Sequence, residues 1–218
     1  MDYLIIRLLL LREKEILFAE VHHRVKNNMA IITGLLNLQA SSTNNEEAKS
    51  LINESKNRVH SMSLVHTMLY STKDLNKIKL DKYSSSLCKE LLNSLEPSGR
   101  IKLIENYADV EVSINKAIPI GLILNEAVTN SIKHAFSNNY PNPEITVKIL
   151  SHGKTVHIVV GDNGKGFENK IQSIEKEKTL GMSLIHSLTE QIDGQVDFSN
   201  QNGTQIQIKF VTEANKPV

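Results

Sequence analysis

Residues 20–39, Glu-Val-His-His-Arg-Val-Lys-Asn-Asn-Met-Ala-Ile-Ile-Thr-Gly-Leu-Leu-Asn-Leu-Gln, read as one amphipathic helix that carries a histidine outside its apolar seam. At roughly 100° per residue, Phe18, Val21, Val25, Met29, Ile32 and Leu36 recur in 3- and 4-residue steps and fall within about 80° of one another. His23 lies roughly 160° from the centre of that seam, with Ala19, Asn27 and Ala30, whereas His22 lies about 60° away on the flank. His23 is therefore offered to solvent, and His22 is expected to pack. A solvent-facing imidazole is an ordinary surface group, so its meaning depends on the motifs of the C-terminal half.

A chain of 218 residues with 40% hydrophobic content can fill one substantial core and a smaller second unit, which predicts two domains. With 25 basic and 24 acidic residues the net charge is +1, too little to recruit nucleic acid or a membrane surface through a global field. The single cysteine, Cys88, excludes an intrachain disulfide, and no Cys/His set has zinc-ligand spacing. This composition fits a reducing, cytoplasmic setting. Cys88 lies among Leu87, Leu91 and Leu92 and reads as a small buried thiol. The apolar opening, residues 1–11, is short and interrupted by Asp2 and Arg7, so it is neither a membrane span nor a signal peptide. It continues into Arg12–Glu15, which makes residues 1–14 a helical lead-in, the stub of an upstream sensor or a dimer contact.

The polar run 40–45 supplies a turn, with Asn44 or Asn45 capping a second helix ahead of Glu46 and Glu47. Ala48, Leu51, Ser55, Val59, Met62, Val65 or His66, and Leu69 then repeat at helical spacing. Residues 15–72 thus predict an antiparallel helical hairpin, which has little of its own to bury its seam against. Two copies pairing into a four-helix bundle satisfy it, so a homodimer is expected. Beyond a linker at 71–76, residues 77–212 alternate helix and strand: a helix over 80–95, strands near 101–104 and 110–114, a buried helix from Pro119 to about Phe136, and strands near 144–150 and 155–160. A helix around 180–192 and strands near 195–198 and 205–211 come next, leaving 213–218 as a tail. The fold class is α+β, the second domain being an α/β sandwich with helices over one face of a mixed sheet.

Three segments of this domain carry polar groups suited to a ligand. In the buried helix, Glu126, Asn130 and Lys133 or His134 share one face by their spacing, and burying such a carboxylate without a partner costs several kcal/mol. The segment Val159-Val-Gly-Asp162-Asn-Gly164-Lys-Gly166 ends a β-branched strand in an acid that can accept from an exocyclic amine, with glycines after it that let backbone approach a ligand. In Thr179-Leu-Gly181-Met-Ser-Leu, a glycine opens a helix whose free amides and dipole suit phosphate. Each alone is equally a structural network, a turn or a plain glycine turn. Histidines 60, 66, 152, 157 and 186 share no convergent spacing and read as structural or surface residues.

Taken in this order, the segments resemble the sensor histidine kinases of the HisKA_2 type, close to the HWE group. The catalytic domain is similar to the gyrase, Hsp90, histidine-kinase and MutL (GHKL, or Bergerat) ATPases. The resemblance spans about residues 15–211: 20–28 as the phosphoacceptor box with His23 as acceptor, 125–134 as the N box, 162–166 and 180–184 as the glycine boxes, and Gly203-Thr204 as the last-strand motif. It implies that Asn130 holds Mg²⁺ bridging the ATP phosphates and that Asp162 reads the adenine amine. It further implies that Lys133 and His134 face the phosphates, that Gly164 and Gly166 border the ATP lid, that Gly181 lends backbone to the phosphate tail, and that Thr204 sits near the adenine. Glu126 departs from the commonest histidine kinases, which carry asparagine there; it either activates the nucleophile or shapes the magnesium shell. The lid between Gly166 and Gly181 is short and carries Lys170, Lys176 and Lys178.

The activity implied is autophosphorylation of His23 from Mg-ATP and transfer to an aspartate of a response-regulator receiver domain. An upstream sensor domain or protein is a further implied partner. Arg24 stands directly after His23 where an acid is usual, so Glu20 could orient the ring or Arg24 hold the phosphoryl product; Asn27, one turn on, could orient water for dephosphorylation. The alternatives are a GHKL-type ATPase, an anti-sigma-like serine kinase, and a non-catalytic dimeric adaptor.

Overall fold

Asn45 ends one helix region and starts the next. Its side-chain oxygen accepts hydrogen bonds from the amides of Glu47 (2.9 Å) and Ala48 (3.1 Å), capping α2 (Glu46–Leu69), whose first turn carries Glu46 and Glu47. α1 (Asp2–Ser42) precedes it without a break, so the expected lead-in and the histidine helix are one element. A loop this short returns α2 along α1 as a helical hairpin. The computed structural model describes residues 2–69, 77–166, 180–200 and 202–212. They divide into two compact units, Met1–Lys77 and Ile78–Val218. The expected linker 71–76, the tail 213–218 and the lid lysines Lys170, Lys176 and Lys178 lie outside the described residues, as do the side chains of Phe18, Ala19 and His22.

The seam of α1 is narrower than the apolar periodicity predicts. Val25, Met29 and Leu36 are half-buried, but Val21 and Ile32 are 56% and 45% exposed, together with Leu17, Ile31, Leu35 and Leu38. The exposed set centres about 120° around the helix from the half-buried set. α1 therefore carries two apolar stripes, and α2 covers one of them.

The second unit is built on a five-stranded sheet in the order β2-β4-β5-β7-β6: β2 (Lys102–Tyr107), β4 (Glu144–His152), β5 (Thr155–Asp162), β7 (Thr204–Val211) and β6 (Gln195–Asn200). β2 runs parallel to β4, and the other pairs are antiparallel. Period-2 alternation puts Ile145, Val147 and Ile149, Val156, Ile158 and Val160, and Ile206, Ile208 and Phe210 on one buried face. Three helices supply the other half of that core: α3 (Leu80–Leu95), α4 (Ile114–Asn130) and α5 (Leu180–Gln191), with α4 packed against α3, α5 and β5. A two-stranded sheet of β1 (Lys77–Lys79) and β3 (Glu111–Ser113) lies outside the main one; β1 is three residues long, too short for alternation to predict it.

Two expectations for α4 need correction. Pro119 lies in the second turn, because the helix begins directly after β3 at Ile114; at that depth the ring removes one backbone hydrogen bond. The helix also changes character before Phe136, becoming a π segment over Ser131–Ala135. Gly121 makes room for a close contact between α3 and α4: a Cβ there would fall inside the hydroxyl of the fully buried Tyr83. Cys88 on α3 is fully buried, and burial pushes its thiol up to about 12.

Gly121→Ala is expected to lower the denaturation midpoint by the equivalent of about 1–3 kcal/mol, with part of the loss recovered in the Tyr83→Phe background; a neutral Gly121→Ala would contradict the packing described. Cys88 is expected to resist alkylation at pH 8 in the folded chain and to react fully in denaturant, as read by mass spectrometry.

Candidate functional site

The inward-facing row of β5, Val156, Ile158 and Val160, ends on Asp162, so strand alternation alone turns that carboxylate to the helix side. Three segments converge on it. The amides of Gly164 (3.0 Å) and Thr204 (3.2 Å) donate to Oδ1, and the hydroxyl of Ser131 donates to Oδ2 (2.9 Å). Thr204 thus joins the site through its backbone. The turn that delivers it requires glycine: Gly203 has φ +111°, and a Cβ there would strike the Asp162 carbonyl. Gly164 is equally confined, since a Cβ would enter the Ala135 carbonyl at the end of the π segment, which also accepts the Lys165 amide at 3.0 Å. Gly166 adopts a left-handed φ of +69°, close to the Asn200 side chain.

Glu126 and Asn130, one turn apart on α4, face the start of α5. A Cβ on Gly181 would lie 3.0 Å from Glu126 Oε2 and 3.5 Å from Asn130 Nδ2, which explains the glycine and brings the N-terminus of α5 beside both groups. Glu126 is buried at 6% exposure and accepts from Asn125 Nδ2 at 3.2 Å. Two further α4 atoms, Asn125 Oδ1 and Thr129 Oγ1, are buried without a hydrogen-bond partner among the described residues. Lys133 and His134 stand on the π segment, half-buried and exposed respectively, and both engage other groups.

The donor set fits a purine nucleotide with a hard cation. Asp162 retains acceptor capacity, the start of α5 lies beside Glu126 and Asn130, and these two side chains offer the oxygen atoms that Mg²⁺ prefers. Among the described residues no cluster of three His, Cys, Asp or Glu could hold a metal alone. A divalent ion here would need phosphate oxygens and water to complete its shell.

Sequence reasoning misses the frame around Asp162. Asn163 accepts the Glu144 amide at 2.8 Å and donates to the Asn142 carbonyl at 2.9 Å, and the Tyr140 hydroxyl donates to the Asn163 carbonyl. Arg100 Nη1 holds the same loop through the carbonyls of Ser137 (2.7 Å) and Asn138 (3.0 Å). The Asp-Asn-Gly turn signal is the only hint of it. A hollow of about 170 Å³, lined by Thr146, Lys148, Val159 and Gln205 from the opposite face of the sheet, reaches Asp162 and Asn163 at its end, whereas the Ser131 hydroxyl meets the Asp162 carboxylate from the helix side.

In the helical unit, His23 is exposed, and its Nδ1 lies 3.3 Å from Asn27 Nδ2. The Glu20 carboxylate accepts from Arg24 Nε at 2.7 Å, an exposed pair of little energetic weight. On the wheel His23 stands about 120° from each apolar stripe of α1.

Comparisons with known proteins agree with this geometry. Residues 20–95 match the HisKA_2 histidine kinase family, and residues 115–214 match the histidine kinase-, DNA gyrase B- and HSP90-like ATPase family. A protein named sensor histidine kinase PdtaS from Mycolicibacterium smegmatis is 31% identical over 91% of this chain, which spans 40% of that relative's length. An anti-sigma F factor from Anoxybacillus flavithermus is 31% identical over a shorter stretch, 36% of this chain and 53% of its own. Among solved structures, the histidine kinase domain of the Erythrobacter litoralis EL346 blue-light-activated histidine kinase shares the fold, with TM-score 0.67, 23% identity, and coverage of 89% of this chain and 90% of that one. No helix of the described residues is long and apolar enough to cross a membrane. With both halves matched in the order that the two sets of motifs occupy, the chain belongs to the histidine kinases of the HisKA_2 type.

Proposed function

We propose that this chain is a sensor histidine kinase core in which His23 takes the γ-phosphoryl group of ATP and passes it to an aspartate of a response-regulator receiver domain. The observation that carries the reading is an exposed, side-chain-supported imidazole on the helical unit together with a nucleotide-type donor set on the other. Neutral imidazole is a competent nucleophile. The residue's task is orientation. A half-turn of the Asn27 amide presents its oxygen to an Nδ1 proton, which leaves the lone pair on Nε2 for attack. The N–P bond forms as the bridging P–O bond to ADP breaks, and the Nδ1 proton passes to solvent. This assigns Asn27 to ring orientation in the forward reaction, besides the water-orienting role that its position one turn from His23 suggests. Glu20 acts through Arg24, whose guanidinium is suited to the phosphoryl product.

In the nucleotide unit, Asp162 reads the adenine amine, Gly164 and Gly166 shape the lid edge, and Gly181 with its helix terminus takes the phosphate tail. Thr204 closes the adenine side, and Lys133 and His134 supply cationic character toward the phosphates. Mg²⁺, held by Asn130 with Glu126 beside it, would neutralise phosphate-oxygen charge. Reliance on cellular ATP makes the cytoplasm the expected setting. The uncovered stripe of α1, with Leu35 and Leu38 at 57% and 69% exposure, is the surface we assign to a second copy, giving the four-helix bundle.

Incubation with γ-labelled ATP is expected to label the chain in an acid-labile, base-stable form, and His23→Gln to abolish the label with nucleotide binding intact. Acid-stable label would favour a serine kinase, and phosphate release without phosphoprotein an ATPase. Leu35→Lys with Leu38→Lys is expected to turn a dimer into a monomer in sedimentation equilibrium; a wild-type monomer at micromolar concentration would refute the assignment of that stripe.

A further inference from the structure

The hydrogen bonds around Asp162 leave a countable remainder. An ionised carboxylate offers about four lone-pair sites, two on each oxygen. Oδ1 takes the amides of Gly164 and Thr204, which fills it, and Oδ2 takes the hydroxyl of Ser131 at 2.9 Å. The acceptor site left open is therefore on Oδ2, beside Ser131. The two backbone donors hold one oxygen; Ser131 supplies the only hydrogen bond among the described residues that holds the other.

Ser131 reaches this position because of where α4 changes pitch. It is the first residue of the π segment, is 6% exposed, and its own amide bonds back to the carbonyls of Ala127 and Val128. At the other end of the same segment, the Ala135 carbonyl receives the Lys165 amide. One irregular turn thus binds both the carboxylate and the loop after it. Irregular turns of this kind recur at functional sites because they re-aim side chains that a continuous helix would direct elsewhere.

We propose that Ser131 is a specificity-determining positioning residue, fixing the Asp162 carboxylate so that its one open lone pair meets the exocyclic amine of adenine. The inference rests on the proposed nucleotide site and goes beyond it by assigning base selectivity to a side chain outside the polar face of α4. A purine that lacks the 6-amine gains nothing from the open lone pair, so the role is legible as a ratio of affinities.

The test is calorimetric titration of the full chain and its variants with ATP and with purine riboside triphosphate, the same nucleotide without the amine. The wild type is expected to prefer ATP. Ser131→Ala is expected to weaken ATP binding about ten-fold, with the amine-free analogue unchanged, so that the preference collapses; Ser131→Thr, which keeps the hydroxyl, is expected to retain it. An unchanged ratio in Ser131→Ala overturns the proposal, whether both affinities stay or both fall together, as does collapse in the threonine variant with preservation in the alanine one. A wild type that binds both nucleotides equally also overturns it, with the nucleotide site intact. Failure of the wild type to bind either removes the nucleotide site itself and this proposal with it.

Discussion

The Asp162 carboxylate is the point on which the second unit depends. Gly164, Thr204 and Ser131 come from a loop, a hairpin turn and the end of a helix, and each places a donor on the same side chain. Hydrogen bonds to a charged acceptor are each worth about 1.5–3 kcal/mol, and here they also substitute for packing in segments too glycine-rich to bury much. The glycines result from the same convergence. Gly203 and Gly164 lie where a Cβ would collide with the carbonyls of Asp162 and Ala135, so the site is closed by backbone approaching backbone. One charged group thereby determines which residues can stand at several positions around it.

α4 presents the opposite problem. It is the most buried helix of the unit, yet it carries Asn125, Glu126 and Thr129 inside. Burying a polar atom without a partner costs on the order of 1–3 kcal/mol, and Asn125 Oδ1 and Thr129 Oγ1 have none among the described residues. A helix selected for stability alone would hold leucine or alanine at these places. The polar face is tolerated because the apolar remainder of α4 is held by α3, α5 and β5, with the Tyr83–Gly121 contact setting how closely α3 approaches. Stability is concentrated at one end of the helix, and polar groups are gathered at the other.

The regular part of this architecture is written in residue periodicity. Alternating Ile and Val on β4, β5 and β7, the Asn45 cap and the glycine-bounded loops all act through local rules, and the structure has them where those rules put them. What escapes is non-local. The π segment has no compositional mark, so Ser131, which falls off the i, i+4 face that picks out Glu126 and Asn130, is invisible until β5 is placed beneath it. The Asn163 and Arg100 contacts span 19 to 38 residues and form where β4 has paired with β5 and with β2 respectively. Pro119 reads as a helix start because its ring suits a first turn, whereas β3 hands the chain to α4 a turn sooner.

The same distinction explains α1. Its apolar residues read as one seam because 3- and 4-residue spacing over 20 residues cannot separate a broad stripe from two adjacent ones. The structure separates them: Val25, Met29 and Leu36 are half-buried, while Leu17, Ile31, Leu35 and Leu38 are exposed. Two stripes about 120° apart leave a third sector of similar width on a helix, and His23 and Asn27 occupy it. A helix with apolar side chains on its other two sectors has only this one left for polar groups that face solvent, and the exposed imidazole stands there.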